Sequence, residues 1–85
     1  MAFSTILWDL ADDPNGNVAH CAEHGVSHDE IDDVLAHPTD TGVSRKSGRP
    51  IAFGNTQTGR HLLVVYEEVD ADTIYPITAF DVPPR

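Results

Sequence analysis

Four of the five cations in this chain fall within one stretch, SRKSGRPIAFGNTQTGRHLLVVY, residues 44–66. No acidic residue occurs between Asp40 and Glu67. Cleaving RNA without a metal requires a base for the 2′-hydroxyl, cations for the phosphorane charge and an acid for the leaving oxygen. The stretch could supply the cations that such a reaction needs, and the competing interpretation is a solvated hairpin face without catalysis. Its cations are Arg45, Lys46, Arg49 and Arg60.

Each candidate residue has a role that its side chain could perform. His61 is the candidate acid or base, because imidazole titrates near neutral pH. Arg49 and Arg60 are the candidate charge stabilisers, and we expect them to face each other across a hairpin. His61 points away from Arg60 on a regular strand, so one site can use both only where the strand twists or bulges. The candidates for substrate binding are Arg45, Lys46 and Tyr66.

The histidines of HCAEH form a second candidate constellation. His20 and His24 stand at i, i+4, a spacing at which two imidazoles can share a metal. Cys21 lies between them, and His28 could reach them from the next helix. No second cluster completes a tetrahedral site, so we predict neither a metal nor a cofactor, with Cys21 packing in the core.

Composition limits the classes of partner. The chain has 14 acidic residues, and its formal net charge is −9. This charge opposes attraction to nucleic acid or anionic membranes, so RNA would have to bind a local cationic patch. The single cysteine permits no internal disulfide and favours a reducing compartment. With neither a secretory pattern at the N-terminus nor an apolar run of about 18 residues, we predict a cytoplasmic protein with no membrane segment.

The helices that must position these residues precede the cationic stretch. Residues 17–25 predict a first helix, with Val18, Cys21 and Ala22 as its buried stripe and a glycine at its C-terminal end. Ser27 and Glu30 form a capping box that starts a second helix. Ile31, Val34 and Leu35 form the apolar stripe of that helix, and Pro38 ends it.

The remaining segments predict strands. A first strand covers 5–9, and three more cover 43–54, 60–68 and 73–82, with an irregularity expected at Gly48 and Pro50 and with NTQTG as a hairpin loop. The continuous run LLVVY indicates a strand that is central or covered on both faces. Pro76 places the last strand at an edge or at a bulge. The chain, residues 1–85, therefore reads as one α+β domain of order β-α-α-β-β-β, with two helices on one face of a small antiparallel sheet.

Short motifs on this framework resemble the BrnT family of toxins within the RelE-like superfamily. They are Trp8-Asp9, Asn17, the segment His24-Gly25-Val26-Ser27, Gly48-Arg49, Gly54-Asn55-Thr56, Gly59-Arg60, Leu63-Val64-Val65-Tyr66 and the strand Ile74 to Ala79. The resemblance implies a RelE-like fold and a metal-independent endoribonuclease toxin of a type II toxin–antitoxin pair. It also implies a partner antitoxin that covers the toxin.

The sequence departs from the family pattern at three places. The loop ADDPNGN looks longer than the family's, Phe80 stands where the family places an arginine, and Pro83-Pro84-Arg85 stands where the family continues into a basic helix. Two of these departures remove positive charge. The alternative is therefore a catalytically inactive RelE-like module that binds a protein partner, and the oligomeric state stays open.

Overall fold

The computed structural model describes residues 5–10 and 12–83, so the expected departure at Pro84-Arg85 lies outside the described residues. Its elements form an α+β fold with one five-stranded sheet of order β1-β5-β4-β3-β2. In chain order they are β1 (Thr5–Ile6), α1 (Asn17–Glu23), α2 (His28–Ala36), β2 (Asp40–Val43), β3 (Pro50–Asn55), β4 (His61–Glu68) and β5 (Thr73–Asp81).

The prediction of one strand over 43–54 is wrong, because residues 44–49 form a loop between two strands. This loop lies at the irregularity that the sequence predicted near Gly48 and Pro50. Residues 44–49 turn the chain between β2 and β3, with Gly48 at a φ of 71°. The loop closes through backbone bonds from Ser44 N to Arg49 O and from Gly48 N to Ser44 O, each 2.8 Å. A left-handed glycine and serine hydroxyls that accept backbone N–H groups favour this turn over an extended path.

The first strand makes the sheet mixed instead of antiparallel. β1 pairs with β5 in parallel, with Thr5 opposite Thr73 and Ile6 opposite Ile74. It has only 2 residues, where the sequence predicted a strand over 5–9. The pairs β3–β4 and β4–β5 are antiparallel, as predicted, and β2 pairs antiparallel with β3, a pairing that the sequence did not predict.

Helix α2 begins and packs as its sequence predicts. Ser27 and Glu30 form both bonds of the capping box. Ile31, Val34 and Leu35 are buried. The helix lies so close to β3 that a Cβ on Gly54 would come within 3.1 Å of Val34 Cγ1. Gly54 is therefore required by the close approach of helix and sheet.

Helix α1 differs from its predicted stripe. Its buried residues are Asn17 and Cys21, whereas Ala22 is exposed. The helix ends before Gly25, whose φ of 73° confirms the left-handed terminating glycine. Within the described residues, neither helix is long and apolar enough to cross a membrane.

Strand β4 occupies the middle of the sheet, which confirms the interpretation of LLVVY as central. β5 lies between β1 and β4, so the edge alternative for Pro76 is wrong. The bulge alternative is confirmed, because the register of β4 with β5 shifts where Tyr66 meets Pro76. The core lies between the helices and one face of the sheet, and its fully buried strand residues include Leu62, Val64, Ile74 and Ala79.

Candidate interaction surface

Arg60 joins three parts of the fold and is only 27% exposed. Its Nη1 donates to Gly25 O at 2.7 Å and to Glu30 Oε1 at 2.8 Å. Its Nε and Nη2 donate to the two carboxylate oxygens of Asp81 at 2.9 and 2.7 Å. The guanidinium of Arg60 therefore donates to acceptors within the protein itself. In this geometry an arginine stabilises the fold.

The acids around Arg60 are held in their charged forms. Burial alone would raise the pKa of Glu30, but donors from Ser27 N–H, the Thr58 hydroxyl and Arg60 hold this pKa below its ordinary value of 4.5. The hydrogen bond from Arg60 likewise lowers the pKa of Asp81. The hydrogen bonds with Asp81 raise the pKa of Arg60 in return. The cluster is thus a closed ion network in which each charge has a partner.

Arg49 lies at the opposite end of the sheet from Arg60, so the expectation that they face each other is wrong. Arg49 Nε donates to Glu67 Oε1 at 3.1 Å on the neighbouring strand. Arg60 precedes Glu67 by seven residues, about 23 Å along an extended strand. The turn at residues 44–49 places Arg49 at the start of β3, whereas Arg60 precedes the start of the antiparallel strand β4.

His61 has no nitrogen available for proton transfer at an open surface. Its Nδ1 lies 2.9 Å from Asn55 Oδ1 and donates to it, because an amide oxygen can only accept. Its Nε2 is buried without a partner among the described residues, and its ring stacks on Phe53. Tyr66 is 6% exposed within the core, and burial raises its pKa. Neither position favours the predicted catalytic or substrate-binding role.

The two remaining cations form a small basic surface. Arg45 and Lys46 are exposed in the loop 44–49. No ion pair involves them among the described residues. We call residues 44–49 the basic loop. The structure thus divides the predicted site: these two cations remain together with Arg49, while Arg60, His61 and Tyr66 belong to other environments.

A polar network that the sequence did not predict anchors α1 to the sheet. Asn17 is 2% exposed, and its Nδ2 donates to Leu7 O at 3.0 Å and to Pro76 O at 2.9 Å. Its Oδ1 accepts from Asp9 N at 2.9 Å. Tyr75 Oη donates to Asp9 Oδ2, which lowers the pKa of Asp9 and raises the pKa of Tyr75 to about 12. These bonds satisfy the strand carbonyl at the bulge and mark a structural network.

The acidic side of α2 borders an open groove. Burial raises the pKa of Asp32 in this groove. His28, Asp29 and Asp32 bring three ligand atoms within 4.8 Å of one another. The positive end of the α2 dipole opposes a cation there, so we assign no metal. The groove is lined by Ser27, Asp29, Glu30, Asp32, Asp33, Gln57, Thr58 and Arg60.

The predicted histidine pair remains a pair without a third ligand among the described residues. His20 and His24 lie with their ring centroids 5.7 Å apart. His20 Nδ1 instead approaches Glu23 Oε2 at 3.6 Å. His28 contributes to the group on α2 and not to this pair.

The sheet face opposite the helices carries a set of partly exposed apolar side chains. Core residues Leu62 and Val64 alternate along β4 with partly exposed Leu63 and Val65. Side chains alternate between faces, so Leu63 and Val65 point away from the helices. The neighbouring strands add residues opposite them in register, and we call the set the open face: Ile51, Phe53, Leu63, Val65, Thr78 and Phe80.

Two polar atoms in or next to the open face lack a hydrogen-bond partner among the described residues. Thr78 Oγ1 and His61 Nε2 are both buried and without a hydrogen bond there. Phe80, which is 37% exposed, lies on β5 opposite Leu63. The sequence signal for this surface was the uninterrupted apolar run LLVVY. Its residues point alternately to both faces of the sheet, so the face away from the helices is also apolar.

No family model, curated protein or solved structure matches this chain.

Proposed function

We propose that this protein is a non-catalytic interaction module that binds a protein partner through the open face. The supporting observation is the continuous apolar surface formed by three neighbouring strands opposite the helices. Partly exposed Leu63 and Val65 lie at its centre on β4. Burying such a surface is favourable at about 25 cal/mol per Å² of apolar area. A protein surface can supply that burial, whereas a phosphate backbone cannot.

The distribution of charge supports this choice over RNA cleavage. Arg60 is occupied by Glu30 and Asp81, and Arg49 is paired with Glu67 at the far end of the sheet. A ribonuclease needs these groups around one phosphate, together with an acid or base that can reach it. The His61 nitrogens are bonded to Asn55 or buried.

A ribonuclease toxin is the second proposal, and one observation favours it. The basic loop presents Arg45 and Lys46 to solvent without an ion pair in the described part of the chain. Clustered cations of this kind match phosphate. The resemblance to the BrnT family supports the same proposal and would add an antitoxin partner, a RelE-like arrangement of the α+β fold and a cytoplasmic location.

A photo-crosslinking experiment separates the two proposals. A benzoylphenylalanine replaces Leu63 on the open face, and Leu10, which is 76% exposed and outside that face, is replaced as the control. We expect protease-sensitive crosslinks from position 63 in expressing cells and none from position 10. A nuclease-sensitive product at 63, or equal products at both positions, contradicts the interaction module.

A parallel assay tests catalysis directly. Purified protein is incubated with total RNA, beside a variant in which Arg45 and Lys46 are both changed to Ala. The interaction module predicts no RNA degradation by either protein. Degradation by the wild type that the double variant abolishes would establish the second proposal.

A further inference from the structure

We propose that a second copy of this chain covers the open face, related to the first by a two-fold axis parallel to β4. The inference rests on the proposed function, because it names the occupant of the same surface. Such an interface is isologous: each copy offers the same patch to the other. Two twisted sheets pack face to face when their strands cross at about 30° or less.

The sheet order makes the open face self-complementary about this axis. β4 is the middle strand, with β3 on one side and β5 on the other. A rotation about an axis parallel to β4 lays each β3 over the β5 of the other copy. Phe53 on β3 then faces the partner's Phe80 on β5, because both pair in register with Leu63. Leu63 itself lies close to the axis and meets the partner's Leu63.

Charge decides which two-fold arrangement is favoured. The basic loop lies at the end of the sheet where the β4–β5 connection also lies, as the Arg49–Glu67 pair demonstrates. We call residues 67–72 the acidic turn. It contains Glu67, Glu68, Asp70 and Asp72, all exposed.

Rotation about an axis parallel to β4 places each end of the sheet over the same end of the partner sheet, and it places the β3 side over the partner's β5 side. Each basic loop therefore comes over the acidic turn of the partner, and this contact occurs twice. An axis perpendicular to the strands would instead place the basic loop beside the partner's β3–β4 loop at the other end of the sheet. That loop, residues 56–59, has the sequence TQTG and carries no acid. The other end of the open face carries Asp40, which pairs in register with Phe53, whereas the acidic turn carries four acids. The parallel axis is thus the arrangement with the larger charge match.

The size of the face indicates a weak interface. The three strands that carry the open face, spaced about 4.8 Å apart and about 20 Å long where they pair, give a face of roughly 15 by 20 Å. Two such faces bury roughly 600 Å² in total, which is below the roughly 1,200 Å² at which specific, stable interfaces begin. We therefore expect a weak, reversible dimer with a Kd on the order of 100 µM at physiological salt.

Sedimentation equilibrium of the whole chain tests the apolar part of the proposal. In 150 mM salt the wild type should dimerise between 10 and 500 µM, roughly the range that this face size implies. Leu63→Lys should remain monomeric, because it buries two charges at the axis. Leu10→Lys adds the same charge away from the open face and should dimerise as the wild type does. Circular dichroism of each variant verifies that it is folded.

Charge reversal tests the axis with substitutions at exposed positions. The first variant carries Arg45→Glu with Lys46→Glu, and the second carries Glu68→Lys with Asp72→Lys. Asp70 is retained because its carboxylate accepts the backbone N–H of Asp72 in the turn. Each variant alone opposes like charges at both contacts. An equal mixture matches opposite charges at both contacts, so heterodimers should form at least about tenfold more tightly than either homodimer.

A matched control separates this pairing from the change in net charge. Asp12→Lys with Glu23→Lys changes the net charge as the second variant does, at exposed positions off the open face. Mixed with the first variant, this control should associate about tenfold more weakly than the mixture of the two interface variants. Equal association of the two mixtures overturns the proposed axis.

Different results would overturn the dimer and the interaction module. A wild type that stays monomeric to 500 µM, while position 63 crosslinks to a protein of another mass, overturns the second copy and leaves the interaction module intact. A monomeric wild type without any protein crosslink at position 63 overturns both. A crosslinked product with twice the mass of the chain is the result expected if both are correct.

Discussion

The net charge of this chain makes the ionic strength a decisive variable for self-association. Each copy has a formal charge of −9, so two approaching copies repel one another over long distances. The contacts between basic loops and acidic turns are attractive but act only at short range. We therefore predict that salt strengthens the dimer, opposite to the behaviour of an interface driven by ion pairs.

The magnitudes follow from the size of the protein. Two charges of −9 separated by its shortest dimension, 26 Å, repel by about 13 kcal/mol in water without salt. A Debye length of about 30 Å at 0.01 M leaves roughly 5 kcal/mol of this, and about 8 Å at 0.15 M leaves roughly 0.5 kcal/mol. Exposed ion pairs contribute about 0.2–1 kcal/mol each, so two loop–turn contacts offset the repulsion only at the higher salt.

Sedimentation equilibrium at 10 mM and 150 mM salt measures the effect. The fall in repulsion corresponds to an association constant about 100- to 1,000-fold larger at 150 mM, after some loss of the attractive contacts. The charge-neutral variant Leu63→Ala serves as a control, because it weakens the dimer without changing this salt dependence. A wild-type dimer that is tighter at 10 mM than at 150 mM would refute the reasoning, since the local contacts would then outweigh the net charge.

Three further predictions concern the fold. Asn17→Ala should lower the free energy of unfolding by about 3 kcal/mol in urea titrations, because three side-chain hydrogen bonds are lost and a strand carbonyl is left buried. Exposed Asn15→Ala should change it by less than about 0.5 kcal/mol, and a similar value for both variants contradicts the anchoring role.

Although burial opposes it, the hydrogen bonds of Glu30 and the charge of Arg60 lower the pKa of Glu30 below 4.5. The contribution of Glu30 to stability is therefore present above pH 4.5 and is lost as the pH falls through the lower pKa of the folded state. Arg60→Met should reduce that acid loss in urea titrations between pH 3 and 7, and an unchanged pH profile contradicts the ion network. Cys21 is 1% exposed, and burial raises its pKa to about 11, so its thiol should react with Ellman's reagent at pH 8 only when the protein unfolds. Rapid labelling of the folded protein contradicts this.

The parts of the fold that the sequence predicted depend on local signals. The capping box of Ser27 and Glu30 acts within one helical turn, so a short sequence window contains the whole interaction. The central position of LLVVY follows from its composition, because an uninterrupted apolar run needs cover on more than one side. Gly25 needs only its own left-handed conformation.

The candidate site depended on distant contacts that no local pattern contains. Arg60 pairs with Glu30 and Asp81, which lie 30 and 21 residues away in the sequence. In the predicted hairpin with NTQTG as its loop, Gly54 lies opposite Arg60, so Arg49 already lies five residues further along the strand. The predicted cationic pair was therefore an error of register, and the structure places Arg49 beside Glu67 at the other end of the sheet.

The second apolar side of β4 connects the sequence to the proposed function. Helices α1 and α2 cover the face of the sheet that carries Leu62 and Val64, whereas Leu63 and Val65 are partly exposed on the other face. A chain of 85 residues buries only about 60–65% of the surface that its unfolded form exposes, so it has little material for a second layer of its own. The proposed cover for the open face is therefore another molecule. The matched charges at the two sides of β4 favour a copy of the same chain, since each copy brings both halves of that match.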